Sequence, residues 1–142
     1  MSPYELLDVA MAAGTRIDVQ WGLFVTVHLA VLGGIAYVER PLRLPEKVGA
    51  MAIYLAFVIV SYRATRFHMS LLQSAYRDVA EVANSNRLTD LHTVQFITQD
   101  LLSGRFEFAN YFTAIAHITM AALVVLALIY DVELTARLKE KE

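Results

Sequence analysis

Two histidines stand inside stretches of the chain that carry no charged residue. His28 lies in residues 19–38 and His117 in residues 108–130. An ionisable side chain in such a stretch is costly to place in hydrocarbon, so it faces a bundle interior or a water-filled cavity and marks a candidate site. Asn110, Thr113, Ala114 and Ala121 share the face of His117 at helical spacing. Glu107 falls on the same line, one turn before Asn110. His28 follows Trp21 by seven residues and His117 follows Tyr111 by six. At about 1.5 Å per residue, each histidine is then roughly 10 Å from an aromatic of the kind that anchors at a membrane surface.

Three chemistries suit these residues. Two histidines at matched depth are potential ligands of a haem iron. They are equally suited to lining a quinone or proton path, because imidazole titrates near neutral pH. The simplest reading is structural: each neutral imidazole hydrogen-bonds a backbone carbonyl or a Ser/Thr hydroxyl of a neighbouring helix. His28 shares its face with Trp21, Phe24, Val31 and Ile35, a bulky surface that meets another helix or lipid. On the next helix, Tyr54, Ser61 and His68 recur at heptad steps.

A second pattern has no chemistry but a clear packing use. Gly22, Thr26, Ala30 and Gly34 recur every four residues and form one stripe, about 180° from His28. Small residues let helix backbones approach closely in lipid, where apolarity alone gives no driving force. The stripe suits packing on the second span, where Gly49, Ala52 and Ala56 are available. It also suits a homo-oligomer interface.

Other site types lack their residues. There is no cysteine, hence no disulfide and no thiolate ligand or nucleophile. His68 and His92 have no His-x-x-x-His or Glu-x-x-His spacing, so no metal site is expected. Glycine-rich phosphate loops, a Gly-x-Ser-x-Gly elbow and a carbonyl-filter motif are absent. Acidic residues sit outside the uncharged runs, so paired carboxylates in a membrane are missing. A net charge of −2 argues against nucleic acid as a partner. These absences lean away from an enzyme.

The elements that must position these residues follow from the apolar runs. The expected fold is all-α: an integral membrane protein with three transmembrane helices, spans about 19–38, 48–62 and 108–130. The second run is short, roughly 22 Å of helix, with Lys47 and Arg63 able to extend it by snorkelling. Ser2-Pro3-Tyr4-Glu5 reads as a capping box opening a short N-terminal amphipathic helix, which Gly14 ends. Two prolines, Pro41 and Pro45, place a polar turn at 39–47. Residues 63–107 read as a helical hairpin extending from the membrane between spans 2 and 3. Its seam is Leu72, Ala75, Val79 and Val82; Asn84-Ser85-Asn86 turns it, and Leu88, Leu91, Val94, Ile97 and Leu101 mark the return. Ser103-Gly104 kinks the chain before the third span, and 131–142 is a charged tail.

The functional expectation is association: a homo-oligomeric scaffold or an accessory subunit of a membrane complex, with the bilayer and itself or another membrane protein as partners. The alternative is a redox or proton-handling component using His28 and His117, with Asn110 and Glu107 beside them and haem or quinone as ligand. A small oligomeric channel lined by Asn110, Thr113 and His117 is the third. No basic leader with a cleavage site precedes the first run, which fits a bacterial inner membrane. Positive charges nearly balance across the two sides; the dense cluster at 39–47 and the acidic N-terminus tip the C-terminus toward the cytoplasm.

Overall fold

The computed structural model describes residues 3–38, 42–85 and 92–130, and these form four helices and no strand. Helix α1 runs Pro3–Tyr37, α2 Leu44–Ser85, α3 His92–Leu102 and α4 Arg105–Tyr130. Among the described residues, α1, α2 and α4 are long and apolar enough to cross a membrane. The local sequence signals are visible at their ends. Pro3 and Pro45 fall in first turns, where a missing N–H costs nothing. The Arg43 backbone N–H donates to the Glu46 carboxylate at 2.8 Å, the reciprocal half of a capping box.

α1 and α2 are antiparallel and touch along most of their length. His28 meets Tyr54 near one end, and Leu6 packs with Val79 near the other. α4 runs parallel to α1, with Trp21 against Phe112 and His117. It runs antiparallel to α2, where Tyr54 reaches Met120 and Thr113 reaches Met69. α3 lies on the far half of α2, so the molecule is a stack of two three-helix layers. One holds the core of Tyr54, Val58, Val124 and Leu128, the other that of Leu6, Val79 and Ile97.

Two expectations change. Gly14 does not end a short N-terminal helix: α1 is continuous through it over 35 residues. The cause is tertiary. Leu6, Ala10 and Ala13 are buried on a line that Phe24 and His28 continue. Packing on one long partner outweighs the roughly 1 kcal/mol that an interior glycine costs. The second apolar run is carried on a longer helix, as the lack of a breaker between Tyr62 and Asn84 implies: α2 continues unbroken for 42 residues. At Ser103-Gly104 the helix is not merely kinked but ends. Gly104 takes φ +70°, in the left-handed region that costs other residues most, and α4 starts afresh at Arg105. An Arg105–Asp100 ion pair at 2.7 Å spans the break. Ser2, the turn beyond Ser85 with Leu88 and Leu91, and the tail 131–142 lie outside the described residues.

Candidate functional site

The two histidines come together in the interior of the first layer. His28 is 0% and His117 2% exposed, in a shell otherwise built of aromatic rings. Phe24 packs on both, with ring centroids 4.0 Å from His28 and 4.1 Å from His117. Trp21 and Tyr62 close the other sides of His117, at 5.6 and 5.5 Å. The bulky face of α1 that carries His28 therefore meets α2 and α4, and not lipid.

Hydrogen bonding separates the two imidazoles. His28 Nδ1 contacts the Phe24 carbonyl one turn back. A carbonyl only accepts, so Nδ1 carries the proton and Nε2 of the neutral ring is an acceptor. Tyr54 supplies the matching hydroxyl at 2.6 Å, and that hydroxyl also lies 3.2 Å from the Met120 carbonyl. The hydroxyl has one hydrogen; given to His28 it ties α1 to α2, and the Met120 carbonyl of α4 lies beside the same oxygen. His117 follows the same local rule, with Nδ1 donating to the Thr113 carbonyl at 2.8 Å. Its Nε2, however, is buried with no partner among the described residues.

The arrangement does not present a joint ligand pair. Both nitrogens of His28 are engaged, and a phenyl ring is the shared neighbour of the two imidazoles. Among the described residues no group of three or more His, Cys, Asp or Glu is placed to hold a metal ion. The remaining sequence candidates divide. Asn110 is half-buried with its side-chain carbonyl oxygen enclosed and unpartnered, whereas Glu107 is exposed and apart from the histidines.

Below His117 on the α2 side lie residues that sequence spacing partly marked. Ser61 and Thr65 are 3% and 1% exposed, and His68 follows on the same line. Thr65 and Thr113 donate to carbonyls of their own helices, at 2.9 and 2.8 Å, and so need no further partner. Ser61 Oγ and His68 Nδ1 are enclosed with none. Sequence spacing put Phe24 on the face of His28 but gave no signal that it also contacts His117.

The small-residue stripe is placed elsewhere. Gly22, Thr26, Ala30 and Gly34 are all exposed, and so are Gly49, Ala52 and Ala56 of α2. The intramolecular packing expected for the stripe is therefore not formed; α1 turns its opposite, His28-bearing face inward. A side chain added at Gly22 or Gly34 would meet nothing within 4 Å. No protein-family model, curated protein or solved structure matches the chain.

Proposed function

We propose that this chain works by helix association in a membrane, as a homo-oligomeric scaffold or an accessory subunit. The observation that carries this reading is the outward stripe Gly22, Thr26, Ala30 and Gly34 on α1. A helix face meant only for lipid gains contact from bulky side chains, whereas a small-residue face gains it from another backbone. Thr26 gives its hydroxyl to the Gly22 carbonyl at 2.8 Å, so the face exposes no hungry polar group to lipid.

The second layer supports the same reading. Residues 3–18 of α1, the far half of α2 and α3 form a helical extension whose surface carries Asp8, Arg16, Arg77, Asp78, Glu81 and Gln99. The first layer instead exposes Leu23, Leu29, Ile53, Ile59, Ile118 and Leu126. That division supports an extension outside the bilayer that offers a second surface to partners. A bacterial inner membrane with the C-terminus in the cytoplasm remains the assignment from composition and charge.

Light scattering on the size-exclusion peak of the detergent-solubilised chain tests this. The native chain is expected to run as an oligomer and the double variant Gly22→Ile, Gly34→Ile as a monomer of unchanged helicity. A native chain that is monomeric in several mild detergents and copurifies with nothing overturns the proposal.

A further inference from the structure

Four buried polar atoms have no protein partner among the described residues: Ser61 Oγ, His68 Nδ1, Asn110 Oδ1 and His117 Nε2. They are not scattered. Tyr62 packs on His117 and Met69 lies against Thr113. In this antiparallel register Ser61 comes level with His117, and His68 comes level with Asn110. The four atoms thus fall at two matched levels of the α2–α4 pair.

Their chemistry names the missing partner. Nδ1 of His117 is committed to Thr113, so Nε2 of the neutral ring can only accept. Asn110 Oδ1 can only accept as well, and Ser61 has a single hydrogen to give. The set lacks donors. In hydrocarbon, where bulk solvent is absent, each unsatisfied group costs several kcal/mol. A water molecule supplies two hydrogens, and two to four polar partners are what an internal water requires.

We infer that the α2–α4 seam is a hydrated half-channel, entered from the end nearest α3 and ending at His117, which binds a proton there. The direction follows from burial. Asn110 and His68 are half-buried, Ser61 and His117 are enclosed, and beyond them Phe24, Val58 and Val124 close the path with apolar side chains. Water at Nε2 delivers a proton to the ring and, once the ring is charged, accepts the new Nε2–H. The Nδ1–H bond to Thr113 is the same in both states, so no rearrangement is needed. The titratable groups facing His117 are Tyr62 from α2 and, across Phe24, His28 from α1. His28 is closed off by Phe24 and Tyr54, so the seam is a dead end and not a pore. The inference is independent of the association proposed above, since the seam lies on the inner faces of one chain.

The absence of native cysteine makes the test direct. Single variants Ser61→Cys, Val58→Cys and Val124→Cys are placed in proteoliposomes and treated with a small water-soluble methanethiosulfonate. Thiol reaction follows access to water and ionisation, so Ser61→Cys is expected to react on the order of tenfold faster than either control. Equal rates overturn the inference. If a variant fails to fold, the native chain labelled with 15N at histidine decides by nuclear magnetic resonance. A water cross-peak at His117, with Nε2 titrating, supports the hydrated site. No water contact and no titration between about pH 5 and 8, the range in which imidazole ordinarily changes charge, overturns it.

Discussion

Tyr54 sits where three helices meet: its hydroxyl gives its one hydrogen to His28 of α1 at 2.6 Å and lies 3.2 Å from the Met120 carbonyl of α4. Removing that oxygen leaves His28 Nε2 buried without a donor, and an orphaned buried acceptor costs about 1–3 kcal/mol. Tyr54→Phe is therefore expected to lower unfolding stability by that amount in a detergent denaturation series. Thr15→Val is the control. Its hydroxyl is exposed and bonds only the Met11 carbonyl of its own helix, so its effect should stay within about 0.5 kcal/mol. His28 and His117 were legible in the sequence because an ionisable residue stands out in an uncharged run. The Tyr54 and Ser61 positions were legible as heptad steps. Phe24 was legible as a neighbour of His28, but its contact with His117 was not, because periodicity locates a helix face but does not fix how that face is rotated against a third helix.

α1 and the α3–α4 link show opposite uses of glycine. Gly14 lies in the middle of a regular helix, and an added methyl group would meet nothing within 4 Å. Gly14→Ala should then stabilise the chain by about 0.4–1 kcal/mol, mainly by restricting the unfolded state. Gly104 has φ +70°, where a side chain crowds its own backbone. Gly104→Ala should cost about 1–2 kcal/mol in the same denaturation assay. If the first helix ended at Gly14, the first substitution would destabilise instead. Local signals read the two glycines alike, as punctuation. What distinguishes them is the buried line Leu6, Ala10 and Ala13, which only matters once α2 is known to extend alongside it. The length of α2 was itself foreseeable, since nothing after Tyr62 breaks the helix before Asn84.

At the scale of the whole molecule, α1 has two faces with different destinations. The face of Phe24 and His28 is consumed by the chain's own bundle, and the face of Gly22, Thr26, Ala30 and Gly34 is left outside. Composition and run length were enough to give the all-helical class and three apolar helices. They could not decide which face of α1 turns inward, because both are free of charge and either permits helix contact. The fold makes that choice by burying the larger rings and the hydrogen-bonding imidazole, and so leaves the small face exposed. The most direct measurement is disulfide cross-linking in native membranes of two single variants, Thr26→Cys on the stripe and Ile118→Cys on the exposed face of α4. The account predicts a cross-linked dimer from Thr26→Cys and none from Ile118→Cys. No dimer from Thr26→Cys, or equal yields from both positions, would contradict it.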